Sequence, residues 1–168
     1  MNFLFPARYD SLTVTDDEYN AEYEAALSNP QHNAVLFDYD KFYYEGRLKI
    51  QSNRLAGSYI YRGWMLLPNF YAGLYSRLQG LGIDLINSPE QYNRLHLFPL
   101  VYEELKEFTP KILAFPDGEE IDWELVNSTF KRFMMKDYVK SVKESKFPKY
   151  FETPVNTTEM DRRINEQS

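Results

Sequence analysis

The stretch Phe133-Met134-Met135-Lys136-Asp137-Tyr138-Val139-Lys140-Ser141-Val142-Lys143 places several ammonium groups on and just past what reads as a strand. Strand alternation puts Met134, Lys136 and Tyr138 on one side and Met135, Asp137 and Val139 on the other. If the strand runs to Lys140, that lysine joins the face of Lys136. Four residues of strand separate the two by roughly 13 Å, too far to grip one phosphate oxygen together but suited to lining a polyphosphate. The same lysines would equally serve as solvated gatekeepers of an apolar strand.

Charge is spread unevenly enough to favour a local anion site over a basic surface. Net charge is -6, which argues against binding a nucleic-acid backbone. Residues 15–24 (TDDEYNAEYE) are acidic, whereas Lys131, Arg132, Lys136, Lys140, Lys143, Lys146 and Lys149 outnumber Asp137 and Glu144. A second anion candidate is Arg62, at the end of the strand-like Tyr59-Ile60-Tyr61-Arg62-Gly63-Trp64. In open α/β sheets ligands sit outside the carboxyl ends of strands. Arg62 there would meet an anionic group, or simply an acidic neighbour in a surface ion pair.

Other chemistries find little support. There is no Cys, which removes thiolates and disulfides and fits a reducing compartment. His32 and His96 lack carboxylates at ligand spacing, and Ser11, Ser58, Ser88 and Ser141 lack the setting of a nucleophile elbow. Asp38 and Asp40 follow a strand, where they would bind substrate or metal, or merely form a turn. Exposed amides at a helix beginning after Ser88 would hold an anion, or only the cap's own side chain. No run approaches a membrane span or a signal peptide, so a cytoplasmic protein bound to neither membrane nor nucleic acid is expected.

The elements that must position these residues read as an α/β chain. Asn2-Phe3-Leu4-Phe5 predicts a buried strand ended by Pro6, with a loop over Ala7 to Thr13. Thr15 and Glu18 form a capping-box pattern opening a helix with Tyr19, Tyr23, Ala26 and Leu27 at helical spacing. Ala34 to Phe37 predicts a second buried strand, parallel to the first. Arg47 to Ile50 alternates like an edge strand paired with Phe42 to Tyr44. Pro68 starts a helix striped by Tyr71, Leu74, Tyr75, Leu78 and Leu81 and stopped at Gly82. Ile83 to Ile86 predicts a strand, and Asn87-Ser88-Pro89-Glu90 caps a helix burying Tyr92, Leu95 and His96 before Pro99. Phe108 to Lys111 marks a domain boundary. Beyond it come a strand over Ile112 to Phe115, a helix over Trp123 to Phe130, the lysine strand, and a short polar helix near the end that needs something to pack on.

The ordered set "YRGWML", "GIDLINSPEQY", "FTPKILAF", "FMMKDYVKSVK" and "FPKYFETP" resembles the arginine-to-lysine clade of ATP-grasp proteins. The resemblance implies a Rossmann-like pre-ATP-grasp domain with a parallel sheet over residues 1–108. It also implies a partial first ATP-grasp lobe, α+β, over residues 109–168. It further implies an ATP-dependent carboxylate-amine ligase acting through an acyl phosphate, with Lys136, Lys140 and Ser141 reaching the nucleotide phosphates. Arg62 would face the acceptor substrate or the γ-phosphate. ATP and magnesium are the implied cofactors, the magnesium ligands being expected on a further lobe beyond Ser168. On that expectation the chain is the N-terminal portion of a ligase and inactive alone. The alternative is a short form that has lost catalysis. It would bind a nucleotide, a peptide or a protein, or oligomerise as a homodimer through Tyr43, Tyr44, Tyr59, Tyr61, Tyr71 and Tyr75.

Overall fold

Strand β1 is longer than its proline suggests. It spans Asn2–Arg8 in a computed structural model that describes residues 1–52, 55–116, 118–136 and 150–165. A tight turn at Tyr9 and Asp10 leads into β2, Ser11–Thr15, antiparallel to β1, where a loop was expected. Pro6 is tolerated because of where β4 (Gly57–Tyr61) ends. The last β1–β4 pair is Leu4 with Tyr61, so the missing N–H of Pro6 faces a stretch of edge that β4 does not reach. The Leu4 carbonyl accepts from the Arg62 amide at 2.8 Å, and the Pro6 carbonyl, two residues on, accepts from Asp16 at 3.0 Å.

The chain is a mixed α/β protein with a mostly parallel main sheet. It forms two compact units, Met1–His96 and Leu97–Ser168. In the first, β1 pairs in parallel with β3 (Asn33–Phe37) on one edge and with β4 on the other, and β4 pairs in parallel with β5 (Ile83–Leu85). Strand alternation divides the core between two faces. Leu4, Val35, Phe37 and Tyr59 pack with Phe42, with Tyr71, Leu74 and Leu78 of α3 (Pro68–Gln79), and with Tyr92 of α4 (Pro89–His96). Phe5, Ala7, Ala34 and Leu36 pack with Ala26 of α1 (Asn20–Leu27). Burial on both faces is why β1 and β3 read as continuous apolar runs.

Several local expectations are corrected. The cap ahead of α1 is Asp16, whose carboxylate accepts from the Glu18 amide at 3.0 Å; Thr15 is buried at the end of β2. Asp38 to Glu45 is no turn and hairpin strand. Asp38 caps α2 (Tyr39–Glu45), accepting from the Lys41 amide at 3.0 Å, and Gly46 closes it at φ 65°. Among the described residues Ile50 makes a single antiparallel bridge, to Phe37. Helix α3 stops at Gln79, so Leu81 lies outside the stripe, 56% exposed; Leu95, at 71%, is also outside the core. The tyrosines offered as an interface largely build the interior: Tyr59 and Tyr71 are each 2% exposed, and Tyr43, Tyr61 and Tyr75 pack against the core.

The second unit begins with a 3-10 turn at Phe98–Leu100 and the short α5, Tyr102–Leu105. Ile112 to Phe115 belongs to no strand. Helix α6 spans Trp123–Thr129, and β6 (Arg132–Met134) pairs antiparallel with β7 (Tyr150–Glu152). The polar α7, Thr157–Asn165, finds the support it requires: Met160 is buried with Trp123 and Val126, and the Trp123 indole N–H donates to Asp161 at 2.8 Å. Among the described residues no helix is long and apolar enough to cross a membrane.

Burial raises the hydroxyl pKa of Tyr39, Tyr59, Tyr61, Tyr71 and Tyr92. A tyrosine whose folded pKa exceeds its unfolded value of about 10 contributes stability that is complete below that pH and lost above it. Chemical denaturation across pH 8 to 12 is expected to show stability flat to about pH 10 and then falling. Phenolate absorbance of the buried rings should appear only as the circular dichroism of the fold is lost; smooth titration of all tyrosines in the folded state would contradict their burial.

Candidate functional site

The two outer edges of β1 lead to β3 on one side and to β4 on the other, so the carboxyl ends of β1 and β4 flank a point where the strand order diverges. Such points open crevices in parallel sheets. A cavity of about 300 Å³ lies in the first unit beside the ends of β4 and β5, with Arg62, Gly63 and Asn87 in its wall.

Its wall is shaped by the Tyr61-Arg62-Gly63-Trp64 segment. The Tyr61 ring folds back so that its hydroxyl donates to the Trp64 carbonyl at 2.6 Å. A Cβ on Gly63 would stand only 2.8 to 3.0 Å from the tyrosine's ring and hydroxyl atoms. Only glycine leaves room for that hook. Trp64 in turn meets Tyr19 edge to face at 5.3 Å. Burial pushes the Tyr19 hydroxyl pKa up, with the Arg62 charge pulling the other way.

Arg62 lines the cavity and is also ion-paired. Its Nε and Nη2 both donate to Oε2 of Glu22, at 2.8 and 2.6 Å. The two readings of Arg62 as anion ligand and as surface ion pair therefore meet in one residue. Nη1 makes no hydrogen bond among the described residues, and both side chains of the pair are 47% exposed. Glu22 fixes the guanidinium plane without burying it.

Part of the lining is aromatic. Tyr71, Tyr92 and His96 form a stack, with centroids 3.7 Å apart and planes at 7° for the first pair, then 4.0 Å and 22°. Each hydroxyl proton of the lining tyrosines Tyr71 and Tyr92 is committed to backbone. Tyr71 donates to the Asn87 carbonyl at 2.9 Å, and Tyr92 donates to the Leu66 carbonyl at 3.0 Å while accepting from the Leu66 amide at 2.8 Å. His96 Nδ1 lies 2.9 Å from the Tyr92 carbonyl. A carbonyl only accepts, so Nδ1 carries the proton and Nε2 of the neutral ring is left as an acceptor. Helix α4 holds this stack through a reciprocal cap: Gln91 N donates to Ser88 Oγ at 3.2 Å, and Ser88 N donates to Gln91 Oε1 at 2.9 Å.

The basic stretch belongs to the second unit. Phe133 and Met135 pack inward, and Phe133 stacks on Phe151 at 5.2 Å. Lys136, just past the end of β6, is exposed and shares the outward face of Met134. It forms no ion pair among the described residues. Lys140 and Ser141 lie outside the described residues. Arg62 and Lys136 thus fall in different units. Among the described residues no three His, Asp or Glu side chains converge in a way that could hold a metal ion.

Sequence reasoning missed Glu22, Gly63 and the open end of the stack at His96. Gly63 carried the only local signal, a glycine directly after a strand-end arginine.

Tyr92→Phe should leave the Leu66 amide and carbonyl unpaired and cost about 1 to 3 kcal/mol. Glu22→Gln, at an exposed pair, should cost no more than about 1 kcal/mol. Urea denaturation of the two variants is expected to give that order, and the reverse order would contradict the burial assigned to each.

Comparison with protein-family models, with curated proteins and with solved structures found no match to this chain.

Proposed function

We propose that this chain takes part in ATP-dependent carboxylate-amine ligation of the ATP-grasp type. In this reading the first unit offers the crevice for a carboxylate substrate, and the second offers lysines to the nucleotide's phosphates. The observation that carries it is the position of Arg62: a guanidinium in the wall of a cavity at the carboxyl ends of parallel strands, held by Glu22 with Nη1 unengaged among the described residues. Parallel sheets present substrates there, and arginine suits the planar, two-oxygen geometry of a carboxylate.

Transfer of a phosphoryl group to that carboxylate would require neutralising charge on the nucleotide and on the acyl phosphate. Lys136 fits a phosphate oxygen by its exposure and by the absence of a competing ion pair among the described residues. Lys140 and Ser141 are assigned to the same role by resemblance alone. ATP, when bound, would supply the phosphoryl group; in the first unit Arg62 would hold a carboxylate oxygen, and in the second Lys136 would offset charge on a phosphate. No step is assigned to magnesium, since no described cluster fits it.

Calorimetric titration of the chain with ATP tests the phosphate half. Lys136→Ala should weaken binding about tenfold or more, the scale of a charge-assisted contact, and Lys140→Ala should act in the same direction. Arg62→Gln should leave nucleotide affinity unchanged. Equal affinity in the parent chain and both lysine variants would remove the assignment.

A further inference from the structure

We infer that the crevice selects a flat, aromatic carboxylate over an aliphatic one, with His96 as the surface on which the ring lies. The inference rests on the carboxylate reading of Arg62 above and adds the identity of the group that the acid carries.

Three features of the cavity lead there. First, the Tyr71–Tyr92–His96 stack stops at His96, which is exposed, lines the cavity and has no ring on its second face among the described residues. A planar ring bound there extends an existing stack, whereas a puckered ring of the same size cannot match its flat face. Second, hydroxyl donors are scarce. The protons of Tyr61, Tyr71 and Tyr92 all go to backbone carbonyls, which leaves Tyr19 as the one lining phenol without such a bond among the described residues, so a sugar or other polyhydroxy ligand would bury several polar groups with few partners. Third, the cavity carries apolar side chains exposed to water: Met65 is 40% and Leu95 71% exposed. A ring seated against His96 would cover such surface.

Charge then sets the other end of the ligand. Arg62 is the cationic side chain of the wall, and its Nη1, unengaged among the described residues, can pair with a carboxylate oxygen while Nε stays on Glu22. A volume of about 300 Å³ lies at the small end of ligand pockets, appropriate to a single ring with a short acidic arm. His96 Nε2, an acceptor in the neutral ring, would favour a hydroxyl or N–H donor on that ring.

Binding of benzoate, cyclohexanecarboxylate and benzamide to the full chain, followed by ligand-observed NMR, tests the inference. Benzoate should bind about fivefold or more tighter than cyclohexanecarboxylate, the scale of one stacking contact, and benzamide about tenfold or more weaker than benzoate. His96→Ala should bring benzoate down to the level of cyclohexanecarboxylate and leave the latter within about twofold. His96→Phe, which keeps a flat surface, should restore the preference, separating stacking from any loss of fold. Arg62→Gln should abolish both acids. Equal binding of the two acids by the parent chain, or equal weakening of both by His96→Ala, overturns the aromatic preference while leaving the carboxylate reading standing. Absence of binding by either acid, or benzamide binding as well as benzoate, overturns both; the lysine variants with ATP report on the phosphate half independently.

Discussion

A strand covered on both faces has no exposed side on which to place a polar residue, and β1 meets that condition from Leu4 to Ala7. Its two parallel neighbours close both edges at its start, so the register of β3 and β4 against β1 fixes where their carboxyl ends stop. Arg62 stands where it does because its amide is the last donor to Leu4. One residue of slip in that pairing would turn Tyr59 out of the core and carry Arg62 away from the crevice.

What the crevice can recognise follows from which polar groups are already used. The hydroxyls of Tyr61, Tyr71 and Tyr92 are spent on backbone groups that would otherwise lack a partner. This rigidifies the wall and leaves ring faces, one partly neutralised guanidinium, one imidazole, the Tyr19 hydroxyl and the Asn87 amide for a ligand. Glu22 and the Tyr61 hook do not need to touch a substrate to matter: they fix the direction of the arginine and the width of the opening.

Much of this was legible in the chain. Continuous apolar runs gave β1 and β3, Pro68 gave the start of α3, and Ser88 gave the cap of α4, because each signal is local and depends on one period or one missing donor. The failures are where the answer lay elsewhere in the chain. Pro6 ends a strand or not according to how far β4 reaches. Asp38 followed by Tyr39 and Asp40 satisfies a turn and a helix cap equally well, since one carboxylate bonds the same kind of amide in both. Ile112 to Phe115 has the composition of a strand but no strand partner among the described residues, and strand preference counts for little without one. Tyrosine content spoke for an interface, although a ring with one polar atom fits a core whenever a carbonyl awaits it. Of the site, Arg62 was visible as a cation ending a strand, while Glu22, forty residues away, and the stack ending in His96 emerge only from the fold.

The most direct test of this account follows the Arg62 Nε–H resonance in the ¹⁵N spectrum, assigned by its loss in Arg62→Gln, as benzoate is added to the folded chain. The account predicts a saturable shift of that resonance and of the Gly63 amide, with the exposed Arg132 unmoved. An Arg62 signal that stays in place while other arginines shift in proportion to added salt would contradict it.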